Sequence, residues 1–162
     1  MYGSVLPGGE AALKTRAAST YKRYSFYYLP STSVSLVLHN PGSQPMILIV
    51  DDDPAFLESA RKLFGPEWQV FFAMDSKQAL RLVEDLEFSV VLVDLVLGKE
   101  NGFELIGEFH NRFPGLPVVA MSGIVKQHVL EAAKAYGAVR VLSKPATPDW
   151  KELIAGIGQT HV

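Results

Sequence analysis

Asp51, Asp52 and Asp53 stand in a row, Asp94 follows at a distance, and Ser122 and Lys144 lie further along the chain. Carboxylates this crowded repel one another, and without a cation one of them is pushed up in pKa. A hard cation relieves the repulsion, and Mg²⁺ typically takes one or two carboxylates with waters and a phosphoryl oxygen. A carboxylate is also a competent nucleophile toward an activated phosphoryl group. A lysine ammonium can neutralise charge on that group, and a serine hydroxyl can donate to one of its oxygens. Taken singly, each residue has a plainer reading. Asp53 suits a helix cap, Asp51-Asp52 an acidic turn, Asp94 a strand end and Ser122-Gly123 a turn. Lys144-Pro145 suits a loop whose proline forces extended geometry on the lysine. The set matters only if the fold brings it together.

The elements that must do so are legible from residue 46 onward. Strands are expected at Met46–Val50, Trp68–Ala73, Ser89–Asp94, Pro117–Met121 and Ala138–Ser143, three of them continuous apolar runs as in parallel strands covered on both faces. Helical patterns alternate with them. Asp53 caps the first with Pro54 at its first position, Phe56, Ala60 and Leu63 form its apolar face, and Gly65-Pro66 ends it. Ser76 can cap the second, with Leu80 and Val83 inward. Asn101-Gly102 opens the third, which turns Phe103, Ile106, Phe109 and Phe113 to one side. The fourth runs from about Val125 to Tyr136, where Gly137 stops it, and Thr147-Pro148 starts a fifth buried through Trp150 and Ile157. Five strand–helix pairs predict an α/β fold with a doubly wound (βα)5 five-stranded parallel sheet in the order 2-1-3-4-5.

In such sheets ligands sit beyond the carboxyl ends of the strands. That rim collects the three aspartates after strand 1, Asp94 at the end of strand 3, Ser122 at the end of strand 4 and Lys144 after strand 5. A nucleotide-binding turn offers bare backbone N–H groups through glycines after strand 1. Carboxylates that repel phosphate stand there instead, and neither the dinucleotide fingerprint nor the P-loop motif occurs in the chain.

The 162 residues, 48% hydrophobic and 20% charged, have a globular balance and fit one domain with some extra chain. A net charge of −2 gives no generic attraction to nucleic acid or to a membrane surface. The absence of cysteine excludes disulfides, thiolate metal sites and a thiol nucleophile, and fits a cytoplasmic location. His39, His110, His128 and His161 show no ligand spacing. Residues 1–45 carry Lys14, Arg16, Lys22 and Arg23 against Glu10 alone, without periodicity. They are expected to be an N-terminal tail or linker, with the folded unit spanning 46–162.

Ile47-Leu48-Ile49-Val50-Asp51-Asp52-Asp53, Val90-Val91-Leu92-Val93-Asp94 with Gly102 eight residues on, Met121-Ser122-Gly123 and Leu142-Ser143-Lys144-Pro145 together resemble the receiver domain of two-component response regulators. The resemblance covers residues 46 to about 160 and suggests a stand-alone receiver. It implies that Asp94 is the phosphoacceptor, taking a phosphoryl group from phosphohistidine on a histidine kinase or histidine phosphotransfer protein. It implies Mg²⁺ as cofactor, bound by Asp52, Asp94 and the Val96 backbone carbonyl, with Asp51 acting through water. Ser122 and Lys144 would contact the phosphoryl group, and Val96 and Ile124 would modulate its loss. Phosphorylation would then change binding to a downstream protein. The domain would catalyse its own phosphorylation and slow dephosphorylation without being an enzyme in the usual sense.

Four positions depart from the pattern. Gly98 stands where the family often has proline, Val141 where an aromatic switch residue is common, and Val96 and Ile124 are apolar where many relatives are polar. The alternative is a receiver-like module that binds proteins without phosphorylation, against which the complete acidic, serine and lysine set speaks. A flavodoxin-like enzyme is a further alternative, but a flavin protein needs a Ser/Thr/Gly-rich loop after strand 1. A phosphatase of the haloacid-dehalogenase kind needs a second aspartate that Asp94-Leu95-Val96 lacks.

Overall fold

The computed structural model of the chain describes residues 44–157. The segment expected to be a tail or linker lies outside them except for Gln44 and Pro45, as do His39 and His161. Strands β1 (Met46–Val50), β2 (Gln69–Ala73), β3 (Val90–Asp94), β4 (Val118–Ser122) and β5 (Arg140–Ser143) form one parallel sheet in the order β2-β1-β3-β4-β5. This is the expected doubly wound sheet.

Side chains alternate along the buried strands, so the sheet has two cores. Leu48, Val50, Val91 and Val93 face one core, closed by helix α2 (Ser76–Asp85) through Ala79, α3 (Gly102–Arg112) through Leu105, Ile106 and Phe109, and α4 (Gln127–Ala135) through Ala133. Ile47, Ile49, Leu92 and Met121 face the other, closed by α1 (Pro54–Phe64) through Phe56, Leu57, Ala60 and Phe64 and by α5 (Trp150–Ala155) through Trp150 and Ile154. Charged and polar residues are left to the strand ends.

Local chemistry sets the helix starts. The Asp53 carboxylate accepts the Ala55 N–H at 2.9 Å, and Asn101 accepts that of Phe103 at 3.1 Å, as expected. The second helix differs: Asp75, not Ser76, is its cap, because its extended backbone lets the carboxylate accept the Gln78 N–H at 2.7 Å. α5 begins at Trp150 rather than at Thr147, since Thr147, Pro148 and Asp149 form a turn in which the Thr147 hydroxyl donates to the Asp149 carboxylate. α4 begins two residues later than expected, at Gln127, after a loop held at Ile124 by the Ser122 hydroxyl. A further element was not expected: Val96–Leu97 pairs antiparallel with Glu100–Asn101 in a small hairpin after β3.

The first ladder bond lies before Met46, where the Pro45 carbonyl accepts the Gln69 N–H at 3.0 Å. Gln44 adds a side-chain bond to the Pro66 carbonyl. Removal of residues 1–43 is expected to leave the melting temperature unchanged. Removal through Pro45 should cost about 1 kcal/mol, which thermal melts of the two shortened chains against the full chain will check.

Candidate phosphoacceptor and metal site

The sheet places Asp51 one residue beyond β1 and Asp94 at the end of the adjacent β3. Asp51 is fully buried, and its backbone N–H donates to the Ala73 carbonyl at 3.0 Å, so its position belongs to the sheet. Asp94 is 7% exposed. Gly102 is pressed so closely against it that a Cβ there would stand 2.0 Å from the Asp94 carbonyl oxygen. Only glycine lets α3 start that near the strand end. Asp52 points outward, exposed, and its carboxylate makes no hydrogen bond among the described residues. One oxygen from each of Asp51, Asp52 and Asp94 falls within a 4.8 Å cluster.

Lys144 arrives from the far side of the sheet. β5 pairs with β4, and the Lys144 N–H donates to the Ser122 carbonyl at 2.9 Å, which extends the ladder by one bond. Its Nζ then reaches Oδ2 of Asp51 at 2.7 Å and Oδ2 of Asp94 at 2.8 Å. Beneath it lies the Phe56 ring, 4.3 Å from Nζ to the centroid, a cation–π contact that sequence reasoning missed. Phe56 has the ordinary signature of a core residue on α1, so nothing in the sequence marks it as a neighbour of Lys144.

Burial pushes the Asp51 carboxyl above its ordinary value. The Lys144 and Asp53 N–H bonds only partly offset this, and the nearby Asp94 charge adds to it. Burial pulls the Lys144 ammonium down, but its bonds to Asp51 and Asp94 and their charges outweigh that and leave it above the usual lysine value. The remaining oxygens also have partners. Asp51 Oδ1 accepts the Asp53 N–H at 2.9 Å, and Asp94 Oδ1 accepts the Val96 N–H at 3.0 Å. Both Asp51 oxygens are thus engaged, while Asp52 is open. Hard oxygen donors in this arrangement fit a small divalent cation, and among the described residues Asp52 is the one of the three carboxylates whose oxygens carry no hydrogen bond.

Ser122 shares the rim, but its hydroxyl is turned to its own loop. It donates to the Ile124 carbonyl at 2.8 Å and accepts the Ile124 N–H at 3.1 Å. Val96 and Ile124 stand at the rim 72% and 64% exposed. Val141, half-buried, packs against the core on the α2–α4 face of the sheet.

A model of the response regulator receiver domain matches residues 47–156. The chain belongs to that family. The receiver is 32% identical over 113 residues to the alginate biosynthesis transcriptional regulatory protein AlgB of Pseudomonas aeruginosa, a match covering 69% of this chain and 25% of that protein. It spans about a quarter of the length of such regulators. An uncharacterised 14.6 kDa protein of Leptolyngbya boryana is 31% identical over 109 residues, 65% of this chain and 83% of that one. The receiver fold is likewise that of a signal receiver domain from Pseudomonas fluorescens (TM-score 0.66, 26% identity, covering 74% of this chain and 97% of that one). A response regulator from Burkholderia pseudomallei has the same fold (TM-score 0.62, 29% identity, covering 72% and 67%). Among the described residues no helix is long and apolar enough to cross a membrane.

Without Lys144 the receiver would hold two facing carboxylates with no cation between them. Lys144→Met is therefore expected to lose about 2 kcal/mol in metal-free buffer near neutral pH, below the full cost of a broken buried pair because the lysine is partly exposed. Lys144 holds the Asp51 carboxyl down against its burial, so losing the lysine raises that carboxyl further in the variant. A raised carboxyl favours folding below its unfolded value and loses that contribution as pH rises through the folded one. The deficit should thus shrink on acidification, as urea unfolding of both proteins at several pH values will show.

Proposed function

We propose that the domain is a phosphoacceptor: Asp94 takes a phosphoryl group from phosphohistidine on a histidine kinase or histidine phosphotransfer protein, and the product signals by changed partner binding. The observation that carries this reading is Lys144 Nζ bridging Asp51 and Asp94 at 2.7 and 2.8 Å on the carboxyl rim of the sheet. A carboxylate oxygen of Asp94 attacks phosphorus in line, the P–N bond of phosphohistidine breaks, and the released imidazole takes up a proton. Lys144 leaves one Asp94 oxygen for the incoming phosphoryl oxygens and keeps its bond to Asp51, so the cation moves little as charge arrives. The Ser122 hydroxyl exchanges its bond to the Ile124 carbonyl for one to the phosphoryl group. Asp52, Asp94 and the Val96 carbonyl would hold Mg²⁺, with Asp51 acting through water. When bound, Mg²⁺ supplies positive charge to the phosphoryl oxygens. The Burkholderia pseudomallei relative carries a phosphorylated aspartic acid and a calcium ion, which supports the same assignment here. A downstream partner and a cytoplasmic location complete the reading. So does an N-terminal linker ahead of the folded unit.

Incubation with Mg²⁺ and a small acyl phosphate should add the mass of one phosphoryl group to the intact chain, and Asp94→Asn should abolish that addition while the fold persists. Equal labelling of the variant would remove the assignment.

The lifetime of the phosphorylated state depends on water reaching phosphorus in line. Val96 and Ile124 flank that approach and cannot orient a water by hydrogen bonding. Val96→Asn and Ile124→Glu, which place polar groups there, are expected to speed phosphate release by about tenfold or more. Release followed over time in Mg²⁺ decides it, and a wild type that decays as fast as either variant contradicts apolar control.

A further inference from the structure

The hairpin after Asp94 depends on Gly98. Val96–Leu97 and Glu100–Asn101 are joined through Gly98 and Lys99, and Gly98 takes a φ of +58°, which the proline common at this position cannot adopt. The turn runs beside the carboxylate cluster, close enough that a Cβ at position 98 would stand 3.3 Å from Oδ2 of Asp52. Two residues per strand give such a ribbon little stability of its own. What holds it is on its second strand. Oδ-type capping by Asp75 serves Gln78, and the Ser76 N–H, one of the unpaired donors at the start of α2, is served from elsewhere. The Glu100 carboxylate accepts it at 2.8 Å and accepts the Ser76 hydroxyl as well. The positive end of α2 favours a carboxylate there. The partners are 24 residues apart, so this bond ties the phosphoacceptor loop to a different helix.

We propose that Glu100 is a positioning residue for the metal site: by latching the hairpin onto the N-terminus of α2, it holds the Gly98 turn against Asp52 and so fixes that carboxylate for the ion. This rests on the Mg²⁺ reading of Asp51, Asp52 and Asp94. Binding free energies are reciprocal, so if the latch favours the ion, the ion favours the latch. Mg²⁺ therefore protects the Ser76 amide.

The test is calorimetric Mg²⁺ titration of the full chain beside Glu100→Ala, Glu100→Gln, Ser76→Pro and the Glu100→Ala/Ser76→Pro double variant. Proline at 76 removes both donors yet suits the first position of a helix, and the preceding Asp75 is already extended at φ −151° and ψ 165°. Glu100→Ala and Ser76→Pro should each weaken binding by roughly tenfold, the lower end of what outer contacts to metal ligands cost. The double variant should be no weaker than either single one, and Glu100→Gln should fall between, since it keeps an acceptor without the charge. Amide exchange in the unaltered chain needs no variant, and Mg²⁺ should slow it at Ser76. Unchanged affinity in folded Glu100→Ala, losses that multiply in the double variant, or Ser76 exchange indifferent to Mg²⁺ each overturn the latch alone. An unaltered chain that binds no Mg²⁺ overturns the metal reading, and the latch with it.

Discussion

One ammonium between two carboxylates allows this sheet to end in acid. Asp51 and Asp94 lie on adjacent strands at nearly complete burial, where each charge is expensive and the other makes it more so. Lys144 touches both, and it can do so because β5 is carried to its place two strands away by β4. The Phe56 ring under the ammonium and the backbone N–H groups of Asp53 and Val96 complete the arrangement. The continuous apolar strands, the two cores and the glycine at 102 all act to hold these groups still. Removing the ammonium leaves two buried carboxylates uncompensated, so the site is coupled through Lys144.

The same arrangement is poised for chemistry. The cation already bonded to Asp94 has a second anchor in Asp51, so it can accept a new oxygen without losing its place. Asp52 is the exposed member and the one with an open carboxylate. A divalent ion arriving there would find Asp51 and Asp94 beside it, both already held at the strand ends. Electrostatic preorganisation of this kind is the main means by which proteins assist phosphoryl transfer.

The five strands and the sheet order were legible in the sequence because continuous β-branched runs alternate with amphipathic segments, a pattern with few topological solutions. The gathering of Asp51, Asp52, Asp94 and Lys144 was legible for the same reason, since strand ends of a parallel sheet share a rim. What escaped was decided by contacts between distant residues. Asp75 rather than Ser76 caps α2, because two adjacent residues can both cap and only the local backbone decides between them. Ser76 is then free to meet Glu100, which carries no local signal of that role. Phe56 looked like any core aromatic, and its ring also supports Lys144. The hairpin at Val96–Asn101 is too short for periodicity to announce, although Gly98 in place of proline was its one visible trace.

A crystal structure with Mg²⁺ and beryllium fluoride, a stable stand-in for the phosphoryl group, tests the central claim most directly. The expected result is beryllium bonded to a carboxylate oxygen of Asp94, with Lys144 Nζ still on Asp51 and its other bond moved from Asp94 to a fluorine. Beryllium fluoride on a different carboxylate, or Lys144 turned away from both Asp51 and the fluorines, would contradict it.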